Sequence, residues 1–155
     1  MATDVEIRPA QPTDHPILVA VMDEWWGRPI SGILPRLFLD HFCTTSFVAA
    51  SGDEVVGFLV GFPSPARPDE AYVHAIAVAP GRRVAGLARV LYQRFFDAAL
   101  ADGRPVIRAV TSPVNERSIA FHRRIGFTVS EPIADYDGPG QDRVTFRLDL
   151  RAPAC

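Results

Sequence analysis

Cysteine is scarce in this chain, which has only Cys43 and Cys155 among its 155 residues. Two cysteines do not make a disulfide-rich scaffold, and no cysteine–histidine spacing typical of a metal site accompanies them. Apolar runs are short as well, since none approaches the roughly 18 residues of a membrane-spanning helix. Residues 1–10 also lack the basic and then apolar pattern of a signal peptide. We therefore expect a cytoplasmic protein that binds no metal and no membrane.

An excess of charge is also missing. The formal net charge is −2, and charged residues make up 22% of the chain. A broad basic surface for nucleic acid is therefore not expected. Hydrophobic residues make up 48%, which is typical of a globular protein rather than a disordered one. A chain of this length can bury a sizeable core, so we predict a single domain over residues 1–155.

Hydrophobic periodicity, 14 prolines and 11 glycines divide the chain into short alternating elements. Strands are predicted at residues 5–8, 47–50, 55–62, 71–78, 106–111, 127–130 and 143–150. Helices are predicted from residue 13 or 14 to 25, and over 33–42, 84–101 and 115–125. The predicted class is α/β, with a mixed, largely antiparallel seven-stranded sheet, a central parallel pair and about four flanking helices.

The order strand, helix, strand, helix from Ala71 to Gly126 implies a right-handed crossover between two parallel strands. In sheets of this kind, ligands bind at the carboxyl ends of the parallel strands. Here that edge carries residues 80–88 on one side and residues 112–115 on the other. The two segments that have chemical character are therefore expected to converge.

The segment from Val78 to Ala88 joins an apolar strand to a long amphipathic helix. It carries a proline, a glycine and two arginines at the turn, followed by Gly86. The first N–H groups of a helix have no intrahelical acceptor, so the turn directs amides and positive charge at one point. A phosphate or pyrophosphate suits such a point. The alternative is an ordinary strand-to-helix turn with two solvated arginines.

The second segment runs from Asn115 to Phe127. Asn115, Ser118 and His122 are spaced at i, i+3 and i+7, so they share one face of the predicted helix. This face is a candidate for ligand contact. The alternative is a helix with an asparagine cap, a solvated polar stripe and a glycine stop.

Together, in this order and with the expected elements between them, the two segments resemble the signatures of the GNAT superfamily of acyl-CoA-dependent N-acyltransferases. The first signature is Arg or Gln, two residues, Gly, one residue, and Gly or Ala, and it is present as Arg83 to Ala88. The second is an Asn followed by an aromatic residue and Gly-Phe, and it is present from Asn115 to Phe127. The resemblance covers nearly the whole chain and implies that family's fold, with the parallel pair splayed at the cofactor site.

The resemblance implies that acetyl-CoA is the co-substrate. Backbone amides from about Arg83 to Ala88 would bind the pyrophosphate, and Gly86 would let the backbone approach the phosphates. The strand before the turn would pair with the pantetheine amides, and one of its N–H groups would face the thioester oxygen. The residues expected to contact the cofactor are Ile76, Ala77, Val78, Arg83, Val84, Ala85, Gly86, Leu87, Ala88, Asn115, Ser118 and His122.

The sequence departs from the family at His122, where most members carry a tyrosine that protonates the departing CoA thiolate. A thiol has a pKa of about 8.5 and needs only a weak acid, so an imidazolium could donate this proton. Three roles are open for His122. It is the proton donor, a cofactor contact without proton transfer, or a structural residue.

An acceptor amine must lose a proton before it attacks, since a lysine-like ammonium has a pKa of about 10.4. The candidate base is His74, which lies in the middle of the strand predicted at residues 71–78. Tyr72 shares a strand face with His74 because side chains alternate along a strand. The alternative for His74 is a buried structural histidine, and Asp69 and Glu70 are weaker candidates for the base.

The resemblance places the acceptor near the helices that follow the first strand and near the final hairpin. Trp25 and Trp26 cannot both face the core of one helix, so one of them is expected to line a cleft or a homodimer interface. Aromatic rings with carboxylates nearby suit a cationic amine. We therefore predict that Trp26, Tyr72 and Tyr136 contact the acceptor. The alternative is that Trp26 covers a neighbouring loop and that the acids near Tyr136 are solvated.

The leading hypothesis is an enzyme that transfers acetyl from acetyl-CoA directly to a primary amine of a small molecule or peptide, in a ternary complex. The rival is a catalytically silent acyl-CoA-binding or sensing module of the same fold, and only the histidine at position 122 favours it. A nucleotide-binding domain is a weak third hypothesis, because the sequence has no Gly-Lys-Ser/Thr and no G-x-G-x-x-G pattern.

Overall fold

The computed structural model describes residues 4–151 and, for residues 84 and 85, the backbone alone. Cys155 therefore lies outside the described residues. Residues 4–151 form seven strands: β1 (Val5–Pro9), β2 (Phe47–Ser51), β3 (Glu54–Pro63), β4 (Glu70–Val78), β5 (Val106–Thr111), β6 (Thr128–Val129) and β7 (Val144–Asp149). The α-helices are α1 (His15–Trp26), α2 (Leu37–Phe42), α3 (Leu87–Ala101) and α4 (Glu116–Arg124).

The strands form one sheet in the order β1-β2-β3-β4-β5-β7-β6. Pairing is antiparallel between β1 and β2, β2 and β3, β5 and β7, and β6 and β7. β4 and β5 are parallel, and Glu70 to Tyr72 lie opposite Val106 to Arg108. The predicted mixed, largely antiparallel seven-stranded sheet with a central parallel pair is confirmed. That this pair is splayed at a cofactor site stays a prediction.

The described chain forms two compact units, residues 4–62 with 73–98 and residues 63–72 with 99–151. In the first unit, residues from α1, α2 and three strands form a buried apolar cluster that includes Leu18, Met22, Leu39, Phe58 and Val60. The second unit contains β5, β6, β7 and α4, and its buried side chains include Ile107, Phe127 and Phe146. The prediction of a single domain over residues 1–155 stays a prediction.

The helix predicted from residue 84 begins three residues later, at Leu87. Residues Pro80–Ala85 instead form a 3₁₀ helix, and Gly86 separates the two with a φ of 73°. A left-handed residue cannot continue either helix, which explains the later start. Helical spacing in the sequence predicts a core face made of Leu87, Val90, Leu91, Phe95 and Ala98, and this prediction also needs correction. Val90 is 47% exposed, whereas Tyr92 and Ala99 are buried together with the expected Leu87, Leu91 and Phe95.

Gly57 on β3 makes room for close packing within the first unit. A Cβ atom at this position would lie 3.2 Å from the Ala77 carbonyl oxygen and 3.3 Å from a Leu91 methyl carbon. Both distances are shorter than ordinary van der Waals contact. The absence of a side chain at Gly57 therefore lets α3 lie directly on β3.

In the second unit, Arg104 holds the proline-rich loop that leads into β4. Its guanidinium donates to the carbonyl oxygens of Ser64, Glu70 and Arg67, at 2.6, 3.0 and 3.2 Å. It also pairs with Asp102 at 2.8 Å. Prolines supply no N–H group, so a loop rich in them has few backbone donors for its own carbonyls. Arg104 supplies those donors.

None of the helices within residues 4–151 is both long enough and apolar enough to cross a membrane.

Candidate functional site

The turn after β4 leads into the N-terminus of α3, and the first amides of a helix are donors suited to an anion. The Ala79 N–H donates to the Val56 carbonyl at 2.9 Å, which ties the strand end to β3. The chain then passes through the 3₁₀ helix and through Gly86, and the Val90 N–H donates to the Gly86 carbonyl at 3.2 Å. The first three N–H groups of an α-helix have no acceptor within the helix. In α3 these are the N–H groups of residues 87–89, and they lie at the positive end of the helix dipole.

Charge and space at this turn both fit a phosphate group. Arg82 is half-buried and Arg83 is exposed, so the turn is positively charged. A Cβ atom at Gly86 would meet nothing within 4 Å, so the glycine is required by its left-handed backbone and not by crowding.

Side chains of β4 alternate as predicted. Tyr72, His74 and Ile76 are half-buried, whereas Ala71, Val73, Ala75 and Ala77 are buried. Val78, at the end of the strand, is buried too. The strand therefore has one core face, and His74 lies on the other face.

His74 is held by two contacts within the first unit. Its ring stacks on Phe38 of α2, with centroids 4.0 Å apart and planes 7° from parallel. Its Nε2 atom makes a hydrogen bond with the Ile33 carbonyl. A carbonyl oxygen only accepts, so Nε2 carries the proton and donates it. In the neutral ring Nδ1 is then the unprotonated nitrogen, which is the property a base requires.

The Phe38 ring belongs to a larger aromatic cluster. Phe38 and Phe42, one helical turn apart on α2, have centroids 5.9 Å apart, and Phe42 stacks on Phe62 at 4.7 Å. The wall beside the His74 ring is therefore apolar.

Asp23 lies close in sequence to Trp25 and Trp26, and its carboxylate accepts three hydrogen bonds from the protein. Its carboxylate accepts from the Ile30 N–H, the Ser31 N–H and the Ser31 hydroxyl, at 2.8, 2.7 and 2.9 Å. The Ser31 hydroxyl and the two loop amides lower the pKa of Asp23. Asp23 therefore holds the loop after α1, a role that the sequence analysis did not identify.

The adjacent tryptophans differ in burial. Trp25 packs against the core and stacks with Phe58 at a centroid distance of 6.3 Å. Trp26 is 38% exposed. Trp26, the predicted acceptor contact, is thus the more exposed of the two tryptophans.

In the second unit, Asn115, Ser118 and His122 follow one another along α4. The Asn115 side-chain oxygen accepts from the Ser118 N–H at 3.3 Å and caps the helix. One turn further, His122 Nδ1 donates to the Ser118 carbonyl at 2.7 Å. The predicted shared face is present, but its polar groups bond mainly to one another.

His122 is buried rather than solvated. It is 3% exposed, stacks on Phe146 at 4.0 Å with planes 4° apart, and meets Phe127 edge-on at 5.2 Å. Burial lowers the pKa of His122, and the hydrogen bond to Ser118 opposes this only in part. The ring is therefore a neutral imidazole at neutral pH.

Tyr72 and Tyr136 lie close enough to influence each other. Burial raises the pKa of Tyr72 to about 12, and the Tyr136 hydroxyl and the Asp137 carboxylate act in the same direction. Tyr136 is 48% exposed, and Asp137 pairs with Arg143 at 2.8 Å. Two of the three predicted acceptor contacts are thus brought together, in the second unit.

The acidic residues of the final hairpin are structural. Asp135 has a φ of 55° and accepts from the Gly140 N–H at 2.8 Å, while the Asp135 N–H donates to Asp142 at 2.9 Å. With Asp137 paired to Arg143, these carboxylates shape the turn that carries Tyr136.

This chain is similar in sequence and fold to known acetyltransferases. The model of the acetyltransferase (GNAT) family matches residues 6–127. L-2,4-Diaminobutyric acid acetyltransferase from Nocardia farcinica is 31% identical over 104 residues, which are 64% of this chain and 54% of that protein. This chain spans about half the length of the curated relatives that it matches first.

Two solved structures extend the likeness to the fold. A GNAT-family protein from Desulfovibrio desulfuricans has a TM-score of 0.80 and 24% identity, covering 95% of this chain and 99% of that chain. Diaminobutyrate acetyltransferase EctA from Paenibacillus lautus, in complex with L-2,4-diaminobutyric acid and coenzyme A, has a TM-score of 0.76 and 22% identity, covering 99% of both chains. Because the family model also covers well over half of the sequence, this chain belongs to the acetyltransferase (GNAT) family.

Proposed function

We propose that the protein is an N-acetyltransferase that moves an acetyl group from acetyl-CoA to a primary amine in a ternary complex. The observation that carries this proposal is the family match over residues 6–127, which includes the strand, the arginine-containing turn and the left-handed Gly86 at the start of α3. Among the relatives, the Paenibacillus lautus enzyme was solved with coenzyme A.

The cofactor contacts follow from the turn and the strand before it. We propose that the amides from Arg83 to Ala88 bind the pyrophosphate, with Arg82 and Arg83 supplying positive charge. Ile76 to Val78 would pair their backbone with the pantetheine amides, and Asn115 and Ser118 would contact the same arm. Support comes from the backbone at Gly86 and from the open space beside it.

His74 is the proposed general base. Acetyl-CoA, when bound, supplies an activated thioester whose thiol leaves with a pKa of about 8.5. The acceptor arrives as an ammonium ion, so a proton must go to a base before its nitrogen attacks. Nδ1 of His74 can take this proton, directly or through one water molecule, because Nε2 is already the donor to Ile33.

For His122 we propose the structural role among the three that the sequence leaves open. Support comes from its burial, its stacking on Phe146 and the lowered pKa, since a neutral ring has no extra proton to give. The proton-donor role and the direct cofactor contact would both require His122 to reach the thiol.

The acceptor is proposed to be a small-molecule amine. The curated relatives named above are L-2,4-diaminobutyric acid acetyltransferases, so this diamine is the first substrate to test. Trp26, Tyr72 and Tyr136 are the proposed contacts, and exposed aromatic rings bind cationic amines through their faces.

Location and assembly complete the proposal. We propose a cytoplasmic protein, on the basis of its low cysteine content. The alternative place for the exposed Trp26 ring is a homodimer interface, and comparing the sedimentation of the wild type with that of Trp26→Ala tests it.

The function is tested by thiol release from acetyl-CoA with a panel of amines: L-2,4-diaminobutyrate, a polyamine, single amino acids and a peptide amine. We expect turnover with at least one of them and a loss of about 100-fold or more in kcat for His74→Ala. His41→Ala, a change at an exposed histidine of α2, is the control and should leave kcat unchanged. Tight coenzyme A binding without turnover on any amine would instead favour the silent acyl-CoA-binding module.

A further inference from the structure

A polar cluster that takes no direct part in the proposed reaction lies in the loop between α1 and α2. Asp23 Oδ1 accepts from the backbone N–H groups of Ile30 and Ser31, and Oδ2 accepts from the Ser31 hydroxyl. All three distances fall between 2.7 and 2.9 Å, as expected for hydrogen bonds to an ionised acceptor. One carboxylate therefore fixes the backbone at two consecutive residues.

The fixed residues lead directly into a short 3₁₀ helix, Ser31–Ile33. Within it, the Ile33 N–H donates to the Ile30 carbonyl at 3.1 Å and the Leu34 N–H donates to the Ser31 carbonyl at 3.0 Å. The ring of His15 bonds the next carbonyl, that of Leu34, at 2.8 Å. The direction of the Ile33 carbonyl is thus set by residues that Asp23 holds.

That carbonyl is the acceptor for Nε2 of His74. Phe38 stacks on the imidazole and limits its rotation about the hydrogen bond. Without the Ile33 carbonyl, a neutral imidazole would distribute its proton between its two nitrogens. The loop therefore determines which nitrogen of His74 is free to accept a proton.

We infer that Asp23 is a positioning residue for His74, acting through the 3₁₀ helix Ser31–Ile33 to keep the proton on Nε2 and Nδ1 unprotonated. The catalytic consequence rests on the proposed role of His74 as the base. The structural consequence, the choice of tautomer, does not depend on that role. Asp23 itself needs no contact with the acceptor or with acetyl-CoA.

The test reads the tautomer directly by ¹⁵N NMR of the histidine side chains. The chain has four histidines, so the His74 signals are assigned by their absence in His74→Gln. Wild type is expected to show the Nε2–H form alone at a pH where the ring is neutral. In Asp23→Ala the two tautomers should both appear. Glu24→Ala removes the neighbouring exposed carboxylate and should leave the His74 signals unchanged.

Asp23→Asn separates a positioning role from a need for negative charge. Its amide oxygen can still accept from the two backbone N–H groups, so the Nε2–H form should be retained in most molecules. If Asp23→Ala does not fold, Ser31→Ala, which removes one of the three donors, and Asp23→Asn still report the tautomer. A wild-type tautomer pattern in a folded Asp23→Ala overturns the inference, and so does a wild-type His74 ring that is not in the Nε2–H form. Where Asp23→Ala is unfolded, a wild-type pattern in Ser31→Ala overturns it.

Kinetics give a second and independent readout. In Asp23→Ala we expect kcat to fall by about tenfold, a fraction of the effect of losing a general base, while KM for acetyl-CoA stays within about twofold. If the tautomer shifts but kcat is unchanged, His74 is not the base, and the proposed function loses that residue while the positioning inference stands. If kcat falls while the tautomer is unchanged, the positioning inference is wrong and the proposed function stands.

Discussion

A buried histidine couples the stability of the second unit to pH. Burial lowers the pKa of His122 below its ordinary value of 6.5, which applies once the chain unfolds. Below that pH the unfolded chain binds a proton that the folded chain does not. The free energy of unfolding contributed by this site therefore falls as the pH drops below 6.5, and it is constant at higher pH, where both states are neutral.

This gives a prediction for His122→Phe, which keeps an aromatic ring on Phe146 and removes the titration. Urea unfolding at about pH 8 and about pH 5 should show a smaller loss of stability on acidification than in the wild type, because each unit of pKa difference is worth about 1.4 kcal/mol. The exposed His41→Gln serves as the control and should follow the wild type. Equal pH dependence in wild type and His122→Phe would mean that His122 is protonated as easily in the folded protein.

At the scale of elements, the fit between β3 and α3 depends on one missing side chain. We expect Gly57→Val to lower the free energy of unfolding by about 1–3 kcal/mol, because the new carbons would press on the Ala77 carbonyl and on Leu91. Gly32→Val is the matched control, since a Cβ there meets nothing within 4 Å. Thermal unfolding of both variants measures the difference, and similar Tm values for the two would show that α3 can move away from β3.

The loop before β4 supplies a second prediction at this scale. Arg104→Gln loses the charged donor shared by Ser64, Arg67 and Glu70, and hydrogen bonds to charged groups stabilise by about 1.5–3 kcal/mol. Amide hydrogen exchange at residues 64–70 should accelerate in this variant. Arg36→Gln, which loses only an exposed ion pair with Asp40, should exchange like the wild type. Unchanged exchange in Arg104→Gln would mean that the prolines alone hold the loop.

At the scale of the whole molecule, ligand binding should stabilise the fold. At 100 times its Kd, coenzyme A would raise the free energy of unfolding by about 2.7 kcal/mol if it binds only the folded chain.

Gly86 and Gly103 offer a matched pair, because both have a φ of 73° and open space at the Cβ position. Alanine at either position should cost about 1–2 kcal/mol of stability. Only Gly86→Ala should also weaken coenzyme A binding in calorimetry, and equal affinities in the two variants would contradict the proposed pyrophosphate site.

The sequence was sufficient for the order and class of the elements. Three features depend only on residues that are close together in the chain. They are the alternating burial along β4, the different burial of Trp25 and Trp26, and the turn from Val78 to Ala88. The family match over residues 6–127 supports the signatures recognised there. The exact start of α3 was missed, because the left-handed φ of Gly86 outweighs the helical pattern that begins at residue 84.

The tertiary structure decided the roles of the polar side chains. The sequence leaves three roles open for His122, and Phe146, which belongs to a different element, stacks on its buried ring. The bond from His74 to Ile33 joins residues 41 positions apart, and the carboxylate of Asp23 is occupied by a loop seven and eight residues away. Periodicity and turn chemistry depend on neighbours in sequence, whereas burial and hydrogen-bond partners depend on which elements pack together. For this protein the sequence alone determined the order of the elements and the turn from the fourth strand into the third helix. Only packing determined that His122 is buried against Phe146 and that His74 bonds the Ile33 carbonyl through Nε2.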